Sequence, residues 1–366
     1  MSPPESTPNL QRYGIIIAII LLVICILGWI YSKSTMNTRD CNNMNELYNE
    51  FPLIRNIDWN GPNYKKFLLR DYYIKTAYNC CAPGTYKNTF VNTCALADCI
   101  KQGARCLDFQ IYSLNNSPVI AVSSVEDFYT KESYNSIPFA DALNMINTKA
   151  FAGATCPNPN DPLILNFRIF SNNSAIMNIM ATDIYNNLEN YILPKEYSYE
   201  YDGKNLGSVP LVNFKRKIII IVDTTNSSIN SSSTKLDEYI NIKSGSPFFR
   251  SLSYNDVQYT PDMDELITYN KTCMTLCLPN LSPSPSNPSS SLAMKYGCQL
   301  VAMEFQEFDS NMEYYDALFA DEGTAFILKP ASLRYVPTTI PAPSPPPEEY
   351  SYQQRTVQSS YYKFNI

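Results

Sequence analysis

The stretch Gly103-Ala-Arg-Cys-Leu-Asp-Phe-Gln-Ile-Tyr112, running on through Ser113-Leu-Asn-Asn-Ser117 into Pro118-Val-Ile-Ala-Val122, decides how the chain is read. A turn glycine opens it, and an apolar run follows with Asp108, Gln110 and Tyr112 at alternate positions. Period two is the mark of a strand, so these three polar groups point to one side of a sheet. The polar turn 113–117 then leads into a second apolar strand. A carboxylate on a buried strand is either a site or half of a structural pair, and these residues leave both uses open.

Outward from that stretch the chain alternates. Phe67–Ile74 reads as strand and Leu96–Gln102 has helical spacing that stops at Gly103. Downstream, Phe139–Phe151 is an amphipathic helix, Pro162–Phe170 a strand, Ala175–Leu193 a helix and Lys217–Asp223 a buried strand. Gly297–Gln306 and Gly323–Pro330 close the series as strand-like segments. Near-continuous apolar strands alternating with helices predict a parallel sheet covered on both faces, and this many repeats predict a barrel.

Composition narrows the function. A formal charge of -6 without a Lys/Arg cluster argues against nucleic acid, whose phosphates require a basic face. The chain has no histidine, which excludes Ser-His-Asp and Cys-His catalysis and His-ligated metal. Residues 14–31 carry no charge, and at 1.5 Å per residue they span roughly 27 Å, enough to cross a hydrocarbon core. Trp29 and Tyr31 stand where an interfacial anchor belongs. The run is longer than a signal-peptide core and is followed by Ser32-Lys33-Ser34, so an uncleaved single-pass anchor in the bilayer is the favoured reading. Arg12 on one side and Lys33 and Arg39 on the other leave its orientation open.

Residues 32–60 read as an Asn-rich spacer with a short helix around Met44–Tyr48, and 224–245 as a linker that begins with a Ser/Asn-rich patch. The proline-rich segment 336–366 reads as an extended tail. Ten of the eleven cysteines lie outside the apolar span, an even number that invites disulfides if the barrel occupies an oxidising compartment; spacing cannot pair them. Cys106 and Cys298, inside apolar strands, read as buried small hydrophobes. Glycosylation sequons at Asn115, Asn172, Asn226, Asn230, Asn270 and Asn280 are what an Asn- and Ser-rich composition yields by chance.

The block GCQLVAMEFQ from Gly297, followed by FILKPASLR up to Arg334, resembles the Y-box half of phosphoinositide-specific phospholipase C. YYIKTAYNC at 72–80, GARCLDFQIY, PVIAV, FADALNMINTKAF and PLILNFR resemble that family's X-box in the same order. The likeness covers about residues 61–335, with 61–223 as one half-barrel and 246–335 as the other. It implies an irregular TIM (β/α)8-like barrel of the phospholipase C-like phosphodiesterase type, preceded here by a transmembrane helix, with its site at the carboxyl ends of the strands. Membrane proteins of large DNA viruses are a further suspected kinship, which would place the chain in a virion or a host endomembrane.

In that family one histidine is a general acid, a second stabilises the phosphorane, and carboxylates with an asparagine hold calcium. Carried over, the first histidine falls on Tyr78, the asparagine on Asn79, two carboxylates on Asp108 and Gln110, the second histidine on Val122 and the last carboxylate on Arg168. Exchanging two carboxylates for an amide and a guanidinium changes the ligand charge by about three units, so calcium binding is expected to be lost and no other cofactor is implied. The expectation is a membrane-anchored pseudoenzyme used as a structural or binding module for a phosphoinositide or protein partner, with Asp108 and Arg168 closing a vacated site. The alternative is a weakly active, metal-independent phosphodiesterase in which Arg168 replaces the metal, as in the secreted bacterial branch, and Tyr78 is the acid.

Overall fold

In the computed structural model, which describes residues 7–125, 127, 130–223, 234–337, 341–345, 347, 350 and 353–366, the apolar runs become the staves of a barrel. The strands are β1 (Tyr72–Ala77), β2 (Cys106–Leu114), β3 (Ser117–Ile120), β4 (Ile137–Pro138), β5 (Leu163–Phe170), β6 (Ile218–Asp223), β7 (Ile242–Lys243), β8 (Phe249–Ser253), β9 (Met274–Leu278), β10 (Leu300–Met303) and β11 (Phe326–Leu328). The order β7-β6-β5-β2-β1-β10-β9-β8 is parallel throughout. It is a nearly closed eight-stranded α/β barrel. Among the described residues the end strands β7 and β8 are not paired with each other; their short connection turns through a bridge from Ser246 to Phe249.

Local chemistry sets the elements. The Thr93–Lys101 helix is capped by Asn92, whose Oδ1 accepts from the Cys94 amide at 2.9 Å. The β2–β3 hairpin turns through Asn115 and Asn116, both left-handed (φ 50° and 60°), as a tight primed turn requires. All residues of β1 and β5 are buried, because one face fills the barrel and the other meets helices. Cys106 and Cys298 are buried in the strands and strand ends, as small hydrophobes are.

The family-like Y-half residues prove to be scaffolding. Gln299 distributes its Nε2 among the carbonyls of Arg70, Asn270 and Cys273 (2.9–3.0 Å), and its Oε1 accepts from the Thr275 amide at 2.9 Å. It thereby ties the amino ends of β9, β10 and β1 together. Lys329 donates to the Asn270 carbonyl at 2.7 Å and the Gly297 carbonyl at 3.3 Å; burial lowers its pKa to about 7. Asn270, buried under this network, is no glycosylation site.

Four expectations need correction. β11 runs antiparallel to β1, outside the barrel path, because β2 begins opposite Thr76 and leaves the Tyr72–Ile74 edge open. The segment 32–60 is no spacer: a single helix runs from Thr7 to Leu47, Met44 and Tyr48 are buried, and Tyr48 Oη donates to the Phe305 carbonyl at 2.7 Å. Residues 224–233 lie outside the described residues, but the remainder of the expected linker contains β7. The tail is a separate unit, Tyr335–Ile366, in which β12 (Thr356–Gln358) and β13 (Lys363–Asn365) pair antiparallel instead of staying extended.

Candidate functional site

On β2, one residue past the level at which β1 ends, Asp108 meets Arg168 of β5 in a two-pronged ion pair. Arg168 Nε donates to Asp108 Oδ1 at 2.9 Å and Nη2 to Oδ2 at 2.7 Å. The remaining acceptor capacity is filled from the sides: Asn166 Nδ2 donates to Oδ1 at 2.7 Å and the Asn79 amide to Oδ2 at 3.1 Å. Asn79, in the left-handed region (φ 43°), also accepts from Arg168 Nη2 on its Oδ1 at 2.8 Å. The guanidinium lies 4.7 Å from the Tyr78 ring centroid. Burial pushes the Tyr78 phenol up to about 12, partly offset by the Arg168 charge, so it keeps its proton near neutrality.

Tyr78, Asn79, Asp108 and Arg168 are therefore gathered at one point, and Gln110 and Val122 are not among them. Gln110 accepts from the Ser123 amide on Oε1 at 2.8 Å and serves the loop after β3. Val122 is buried, its carbonyl accepting from the amides of Glu132 and Ser133. Asn166 was missed by sequence reasoning; its signal was position, two residues before Arg168 on the same face of β5. Glu304, just beyond β10, was missed as well. It is buried, accepts from the Ser286 amide, and is driven by burial up to about 8.

Beside this cluster a cavity of about 440 Å³ opens at the carboxyl ends of the strands. Tyr78 and Arg168 form one wall, and Asp223, Ser251, Ser253 and Asp256 face it, with Asn280 on the loop after β9. The lining suits hydroxyl-rich ligands, with one guanidinium already engaged by a carboxylate. The donor set does not fit calcium. Both Asp108 oxygens are engaged by Arg168 and by amide donors, and a cation drawing on them would sit against a guanidinium. Among the described residues no three His, Cys, Asp or Glu side chains are grouped to hold a metal.

The fold is that of a phospholipase C-like α/β barrel. Residues 225–332 match the family profile of the phosphatidylinositol-specific phospholipase C Y domain, and the chain resembles that family across the barrel. The crystal structure of PLC21 from L. pealei superposes with a TM-score of 0.62 at 17% identity over 76% of this chain and 39% of that one. PLC21 from S. officinalis gives 0.61 at 18% identity, covering 79% and 40%. The chain thus spans about two fifths of the length of those proteins. No curated protein sequence matches significantly.

Proposed function

We propose that the chain is a membrane-anchored, phospholipase C-like protein whose barrel no longer hydrolyses lipid and serves as a structural or binding module. The observation that carries this reading is the Arg168–Asp108 pair. Arg168 satisfies the carboxylate that a cation would need, and Tyr78, the phenol beside it, keeps its proton near neutrality. The uncharged span within Thr7–Leu47 supports anchoring, having the length and apolarity to cross a membrane. The bond between Cys41 and Cys94, both only half-buried, supports a barrel on the oxidising face of that membrane. The cavity's hydroxyl and amide lining supports a polyol headgroup as its ligand.

One observation favours the alternative of a metal-independent phosphodiesterase: Arg168 and Tyr78 touch each other and both face the cavity. The deciding measurement is turnover of phosphatidylinositol and its bisphosphate by the full chain in mixed micelles, with calcium and with chelator. The module reading expects none from a folded sample. Turnover that survives chelation and disappears in Arg168→Lys at unchanged stability would overturn it in favour of the enzyme.

A further inference from the structure

The N-terminal helix is laid along the barrel rather than hung from it. Asn37, Cys41 and Asn45 recur every four residues and so share one helix face. On that face Asn92 Nδ2 donates to Asn37 Oδ1 at 3.1 Å, Cys94 is bonded to Cys41, and Asn45 Nδ2 donates to Asp98 Oδ1 at 3.2 Å. Past the helix end, Lys101 Nζ donates to the Asn49 carbonyl at 2.9 Å and Gln102 Nε2 to the Glu50 carbonyl at 3.0 Å. Residue numbers rise together on both sides of this ladder, so the N-terminal helix runs parallel to the Thr93–Lys101 helix.

That direction has a geometric consequence. The Thr93–Lys101 helix joins β1 to β2, so it begins at the strand-carboxyl end of the barrel and finishes at the amino end. Going towards its own start, the N-terminal helix therefore leaves the barrel past the carboxyl rim. Lys33 marks the exit, its Nζ donating to Tyr134 Oη at 2.9 Å on the loop that follows β3. From Asn37 to Tyr31 the helix rises about 9 Å, and the uncharged residues 14–31 continue beyond. Leu114 at the hairpin tip, Val125, Tyr134 and Leu281 are exposed on loops of this same rim. Singly, exposed apolar side chains mean little; here they share the end from which the apolar helix departs.

We propose that the N-terminal helix and the Cys41–Cys94 bond form a rigid strut that presses the carboxyl rim, with the cavity mouth, onto the bilayer the helix crosses. The inference rests on the anchor reading above. Leu114, Val125, Tyr134 and Leu281 then lie in the headgroup layer, and the cavity takes its ligand from the membrane that holds it.

The test uses the full chain in phosphatidylcholine vesicles and three single-tryptophan forms. Trp59 sits at the opposite end, under Lys215, which precedes β6. Trp59→Phe leaves Trp29 as reporter of the span; Trp29→Phe leaves Trp59 as reporter of the far end; Trp29→Phe/Trp59→Phe/Leu281→Trp reports the rim. With headgroup spin-labelled lipid, rim emission should be quenched at least threefold more than Trp59, and the difference should shrink when Cys41→Ser/Cys94→Ser is added. Equal quenching of rim and far end, or a difference untouched by the cysteine changes, overturns the strut. Acyl-chain-brominated lipid separates the two readings: if Trp29 is not quenched the anchor fails, whereas a quenched Trp29 with an unquenched rim sinks the orientation alone.

Discussion

Asp108 and Arg168 are each costly in isolation and inexpensive together. A buried charge deprived of its partner costs about 3–5 kcal/mol, so Asp108→Ala should lose that much stability in urea unfolding of the full chain in detergent. Asp108→Ala/Arg168→Leu should recover at least half; a single mutant as stable as the parent would refute the structural role. Glu304 makes a second residue-level prediction. Its folded pKa of about 8 lies above the ordinary 4.5, so between those values the folded protein holds a proton that the unfolded chain has released. Its contribution is complete below about pH 4.5 and lost as pH rises through 8. Glu304→Gln should therefore gain on the parent with rising pH, by on the order of 4 kcal/mol between pH 5 and 8.5, in unfolding curves over that range. Asp108 was legible in the sequence because period two on an apolar strand isolates it. Glu304 was not, because what raises its pKa is burial, and burial is set by tertiary packing that no spacing in the sequence displays.

Among elements, the barrel was read from long strands such as β5, buried throughout, and β6, buried in all but its last residue, whose apolar runs admit few other structures. β7 and β8 escaped because they are short and half-exposed, leaving no run to recognise. The antiparallel sense of β11 is set by an unoccupied edge of β1, a fact of register that a sequence does not display. The N-terminal helix was legible only in its apolar part; beyond Tyr31 its polar side chains suggested a spacer, since the partners that order them lie on a helix some fifty residues later. The bond across that interval predicts a measurable effect. A cross-link closing a loop of 53 residues stabilises by about 2–4 kcal/mol, so Cys41→Ser/Cys94→Ser should lower the unfolding free energy by that amount. Reducing agent should reproduce the loss in the parent and leave the double variant unchanged.

At the scale of the whole molecule, charge decides which headgroup the cavity accepts. The chain carries a net -6, and the cavity adds Asp223 and Asp256 to an Arg168 whose charge is already matched by Asp108. A polyphosphorylated inositol would bring several negative charges into a field of the same sign, whereas an uncharged ring needs only the serine hydroxyls and side-chain amides. Titration of the full chain in detergent with myo-inositol should therefore show weak binding that is indifferent to salt between 50 and 300 mM, and inositol trisphosphate should bind more weakly at the low-salt end. Removing one like charge at this range is worth about 1 kcal/mol, so Asp223→Asn should raise trisphosphate affinity about fivefold and leave myo-inositol unchanged. Trisphosphate binding that is tight and weakened by salt would mean that Arg168 exchanges Asp108 for the ligand. The pair would then be the resting state of a working anion site rather than the closure of a vacated one.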